Sequence, residues 1–154
     1  MFMRHPAPPA DTGFTLVELM ITLAVMAILA ALAWPALQEA VQKSRRSDAM
    51  SALATIMQAQ ERWRANNPAY QATLADLPGA QATTSSDRHY DLSLVAGSVT
   101  ATGFTARATA RAASPQSGDS RCQALQVVVN GGNITYNSLA GGALNAAPDP
   151  CWVR

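Results

Sequence analysis

The chain has 154 residues, 49% of them hydrophobic and 6% aromatic, and a formal net charge of +1. That length means one domain as a prior, and so even a charge argues against a dedicated nucleic-acid binder, which carries a clustered basic excess. Three Phe, three Tyr and three Trp restrict any soluble core to a small one built from Ala, Val and Leu.

The polar stretch Met1 to Gly13 contains three prolines, Pro6, Pro8 and Pro9, and is not expected to be helical. It leads into GFTLVELMITLAVMAILAALAWPALQ, Gly13 to Gln38, which has no charge between Leu19 and Leu37. Phe14 to Leu37 is roughly 24 residues, enough to cross a hydrocarbon layer of ~30 Å. The run is longer than a secretory signal core and no small-residue cleavage site closes it. Glu18 interrupts it near the start. Thr15-Leu16-Val17-Glu18 fits a capping box, and an acid in the first turn suits the helix dipole; intramembrane acids also mark function. Arg4 precedes the span and Lys43, Arg45 and Arg46 follow it, so charge alone would leave the C-terminus cytoplasmic.

Pro35 falls inside the helical pattern and should bend or locally open it. The pattern resumes beyond. Ala49, Ala52, Ile56, Ala59 and Trp63 recur on one face, with Met50, Leu53 and Met57 beside them, while Lys43, Arg45, Glu61, Arg62 and Arg64 lie around it. Asn66-Asn67-Pro68 is a stop. A continuous helix from Phe14 to Ala65 would be ~78 Å long, too long for one small core to cover, so its front half must meet lipid or other copies. Tyr70 to Pro78 reads as a connector with one helical turn.

Strand patterns follow. Tyr90, Leu92 and Leu94 alternate with Asp91 and Ser93, and Phe104, Ala106, Ala108 and Ala110 alternate with Thr105, Arg107, Thr109 and Arg111. Gln123 to Val129, then Asn130-Gly131-Gly132-Asn133, then Ile134 to Asn137 reads as a hairpin. Ser114 to Asp119 reads as a flexible loop. The fold class is α+β: a long N-terminal helix, apolar in front and amphipathic behind, packed on an antiparallel sheet of three to four strands. Cys122 and Cys151 are compatible with one disulfide or with two unrelated thiols.

Gly13-Phe14-Thr15-Leu16-Val17-Glu18, the apolar run after it and Pro35 within it resemble the processing motif of type IV prepilins. That resemblance implies a leader, residues 1–13, removed between Gly13 and Phe14 by a prepilin peptidase that also methylates the Phe14 amine. It implies that residues 14–37 are a transmembrane and later filament-core half-helix, and that 38–154 form a periplasmic pilin domain. Within that domain, 38–66 finish the helix, 67–86 connect, 87–138 hold the sheet and 122–151 bound a disulfide loop. The N-terminus would be cytoplasmic and the C-terminal domain periplasmic, overruling the charge count, before assembly into an extracellular pilus. Glu18 would meet the Phe14 amine of a neighbouring subunit: paired charges in an apolar core cost far less than isolated ones. Pro35 would mark the bend such helices carry. Asp11 and Thr12 stand where many relatives have a basic residue. The pair Cys122 and Cys151, with Trp152, resembles the C-terminal disulfide loop of type IVa pilins, and closing such a loop contributes ~3.5 kcal/mol in the chain-entropy model. Gln58 to Leu77 is similar to small minor-type pilins. The implied partners are other pilin subunits, the peptidase, the inner-membrane assembly platform and, before assembly, the lipid bilayer; the implied roles are adhesion, twitching motility or DNA uptake.

Two alternatives share that motif. A DNA-binding competence pilin would use Arg107 and Arg111, which share a strand face, with charge added by Arg45, Arg46, Arg62 and Arg64. A pseudopilin of a type II secretion system is disfavoured by the cysteine pair and by Asp87 and Asp91, which lack a calcium-loop pattern. Nothing points to an enzyme, a metal or a cofactor. His89 is a lone surface histidine, Gly131-Gly132 lacks the lysine of a phosphate loop, and Asn133-Ile134-Thr135 is a chance sequon.

Overall fold

The computed structural model describes residues 13–79 and 81–152. The expected leader, apart from Gly13, lies outside the described residues. The chain divides into two compact units, the first ending at Gln38 and the second beginning at Glu39.

Helix α1 runs over Leu16–Arg64, 49 residues, with Pro35 inside it. It starts two residues later than Phe14 because Thr15 stays outside and caps it: its Oγ1 accepts the Glu18 N–H at 3.2 Å. It ends at Arg64, where the Asn67 side-chain amide donates to the Trp63 carbonyl at 2.8 Å and Arg64 Nη1 donates to the Asn67 carbonyl at 2.7 Å. The first of these satisfies a carbonyl that the last turn would leave open.

In the first unit Phe14 and every large apolar side chain of the helix are exposed, from Leu16 at 75% to Leu37 at 59%. This window is long and apolar enough to cross a membrane by length and composition, and none of it is buried. In the second unit the same helix turns a stripe inward. Ala49, Leu53, Ile56 and Ala59 are fully covered, and Met50, Ala52, Met57 and Trp63 pack around them.

The stripe packs on five antiparallel strands in sequence order: β1 (Tyr90–Leu94), β2 (Gly103–Ala110), β3 (Ala124–Asn130), β4 (Asn133–Ala140) and β5 (Ala143–Leu144). The pairings Leu92↔Ala108, Ala108↔Leu125 and Phe104↔Val129 keep the apolar residues of β1 to β3 on the helix side. Phe104 is fully buried in this core, its ring tilted against Tyr70 at 4.8 Å. Ala106 and Ala108 are fully buried in the same core.

The structure corrects several expectations. The sheet has five strands rather than three or four. Gly141 and Gly142, at φ +56° and +83°, repeat the left-handed pair at Gly131 and Gly132 and turn the chain into β5. The connector Tyr70 to Pro78 holds one 3-10 turn, Leu74–Asp76, as its reading expects. Ser114 to Asp119 is not a flexible loop: it contains a 3-10 turn, Pro115–Gly118, capped by Ser114, and buries Ser114, Gln116 and Asp119.

Candidate functional site

Two surfaces carry functional groups. The first is the helix start. Glu18 stands in the first turn, its N–H bound by Thr15 and its carboxylate in an otherwise apolar, exposed setting. Phe14 precedes the helix rather than sitting in its first turn. Leaving this much apolar surface uncovered in water is unfavourable, and lipid or partner subunits remove the penalty.

The second is the sheet face opposite the helix. Register places Asp91 and Ser93 of β1, Arg107 and Thr109 of β2, and Gln126 of β3 on it. Arg107 Nε and Nη2 both donate to Gln126 Oε1, at 3.2 and 3.0 Å. Arg111, just past the end of β2, pairs with Asp91 at 2.9 Å, and its Nη1 reaches the Arg88 carbonyl at 3.5 Å. Arg88 itself holds φ at +59°, a conformation that costs a non-glycine residue energy. Among the described strand residues on this face Asp91 is the one acid, so the face presents cations among neutral hydrogen-bonding groups. That chemistry suits a polyanion.

The expected basic supplement is smaller than the residue count suggests. Arg46 is no surface charge: it is 7% exposed, and its Nε donates to Asp119 Oδ2 at 2.7 Å. Asp119 also accepts from Gln116 Nε2 at 2.9 Å and from the Cys122 N–H at 3.2 Å. Tyr90 lies in the same cluster, its phenol pushed up to about 12, first by burial and then by the Asp119 carboxylate. Arg64 is taken up by the Asn67 and Ala101 carbonyls and lies over the Tyr70 ring. His89 is half-buried, with Nδ1 2.9 Å from the Ser114 hydroxyl, and is not a free surface group. Sequence reasoning finds Arg107 and Arg111 and misses Gln126, Asp91 and the Arg46–Asp119 pair. Strand alternation puts Asp91 on the outer face; only the pairing register adds Gln126.

The disulfide Cys122–Cys151 closes the far end, with Cα atoms 5.7 Å apart. It holds the tail across β4, where the Trp152 indole donates to the Asn137 carbonyl at 2.8 Å, and Asp149 accepts from the Ser138 backbone and hydroxyl. On the helix side, a groove of ≈ 530 Å³ opens between α1 and the β3–β4 turn, floored by Met57, Tyr70, Val129 and Ile134.

A helix with an uncovered apolar front and an amphipathic rear, laid on an antiparallel meander stapled by one C-terminal disulfide, defines the pilin class of filament subunit. Comparison with known proteins agrees. Residues 9–34 match the prokaryotic N-terminal methylation motif. Residues 35–126 match the type IV minor pilin ComP, DNA uptake sequence receptor, and the chain belongs to that family. Fimbrial protein Q of Moraxella bovis is 49% identical over 45 residues, and that match spans 29% of each chain. The chain is therefore a member of a pilin family, and that family implies assembly with other pilins into a filament. The apolar helix and the methylation motif fit anchoring in the inner membrane before assembly.

Proposed function

We propose that this chain is a minor pilin that binds DNA for uptake through the sheet face opposite α1. The match of residues 35–126 to a family described as a DNA uptake sequence receptor supports the ligand. The Arg107–Gln126 and Arg111–Asp91 arrangement is the observation that carries the site. Among the described residues Arg107 has no carboxylate partner, only a neutral amide, whereas Arg111 shares its charge with a carboxylate. Phosphate contacts from such cations supply affinity and make it salt-dependent.

In the same reading the precursor is cut between Gly13 and Phe14 and Phe14 is methylated by the prepilin peptidase. The freed Phe14 amine then meets Glu18 of a neighbour in the filament core, with Pro35 marking the bend. The C-terminal domain faces the periplasm before the assembly platform extracts the chain from the membrane. The disulfide fits that oxidising compartment.

The test is genetic. Arg107→Ala with Arg111→Ala should cut DNA uptake by cells carrying the pilus while surface display of the subunit stays unchanged. Uptake at the parental level would refute the proposed face. Mass spectrometry of the mature chain should find N-methylphenylalanine at its start, absent when the peptidase is deleted.

A further inference from the structure

The geometry points to Gln126 as a positioning residue that turns Arg107 into a fixed two-pronged donor toward DNA. The inference rests on the DNA reading above. Gln126 is 6% exposed, at the centre of the sheet, and takes two of the five guanidinium N–H groups of Arg107 on one oxygen. The three left are on Nη1 and Nη2, the end of the fork away from Gln126. Arg107 is half-buried and sits directly across from Ser93 on one side and Gln126 on the other. An arginine held flat in this way has already lost much of the side-chain freedom that binding would otherwise cost.

Arg111 differs in kind. Its Nε is committed to a carboxylate on an exposed neighbour, Asp91, so its charge is offset and its fork is not prepared for a second paired acceptor. The two arginines therefore divide the work. Arg107 presents a preset fork to a paired acceptor on DNA, either the N7/O6 edge of guanine or two phosphate oxygens, and Arg111 supplies a screened charge.

The experiment uses the full-length chain in lipid nanodiscs and a duplex pool with a randomised centre. The most enriched duplex and its scrambled counterpart then serve as probes. Gln126→Leu leaves net charge untouched and removes the brace; Arg107→Lys leaves the charge and removes the fork. Both should weaken binding about tenfold while the dependence on salt keeps its wild-type slope, since no charge is removed. A loss confined to the enriched duplex assigns the acceptor to a guanine edge, and an equal loss on both duplexes assigns it to phosphate. Both variants binding like wild type, while Arg107→Ala loses binding, would overturn the role of Gln126 and leave the DNA reading standing. No binding by the wild-type chain at low salt would overturn both. A thermal melt checks that each variant is folded.

Discussion

Removing the Asp119 carboxylate is the sharpest perturbation of the fold that presents this face. Asp119 is 2% exposed and accepts from Arg46, Gln116 and the Cys122 N–H. It thereby joins α1, the 3-10 turn and the disulfide at one carboxylate. Asp119→Ala leaves Arg46 charged and enclosed without a counter-ion. Taking one partner from a buried pair costs about 3–5 kcal/mol. For a domain of a hundred-odd residues, that is a fall in Tm of roughly 12–20 °C. Thermal and urea unfolding of the full chain, followed by circular dichroism, measure it. The double variant Arg46→Met/Asp119→Leu should recover the part of the loss that comes from the stranded ion, while the Gln116 amide and the Cys122 N–H stay without their acceptor. A loss under about 1 kcal/mol in Asp119→Ala, or a double variant no better than the single, would refute the reasoning.

Three further outcomes are expected. Glu18→Ala should leave membrane insertion intact and reduce incorporation into pili, scored by comparing sheared filaments with membrane fractions. Cys122→Ser should cost about 2–5 kcal/mol in urea unfolding, since the tail after β4 has little apolar cover of its own. Tyr90 is held neutral in the folded chain, with its phenol raised to about 12 against an ordinary value of 10. The folded state therefore binds this proton more tightly than the unfolded one. That contribution is complete below about pH 10 and is lost as pH climbs toward 12, a decline of roughly 2–3 kcal/mol. Tyr90→Phe should flatten that decline, and an unchanged slope would remove Tyr90 as its cause.

The elements most legible in the sequence are those with a strong period. The helix stripe from Ala49 to Trp63 and the alternation from Phe104 to Ala110 repeat often enough to be read without tertiary information. The apolar run to Leu37 is equally plain, because nothing in it but Glu18 resists burial. The fifth strand escapes such reading although Gly141-Gly142 has the same turn chemistry as Gly131-Gly132; the strand is only two residues long and shows no alternation. Ser114 to Asp119 resembles a loop because its composition is polar. Its order comes from a partner seventy-three positions away, Arg46, and an interaction across that separation leaves no local trace. The same holds for the candidate site. Arg107 and Arg111 share a face by simple alternation, whereas Gln126 joins them only through the register of β2 on β3.

Direct binding of duplex DNA by the mature full-length chain in nanodiscs, followed by fluorescence anisotropy across a salt series, tests the proposed function most directly. The expected result is measurable binding at low salt that weakens linearly in log–log form. Substituting Arg107 and Arg111 together by Ala should reduce the slope by up to about 1.8, near 0.9 for each phosphate no longer neutralised. Wild-type binding that is absent at low salt, or a slope unchanged in the double variant, would contradict it.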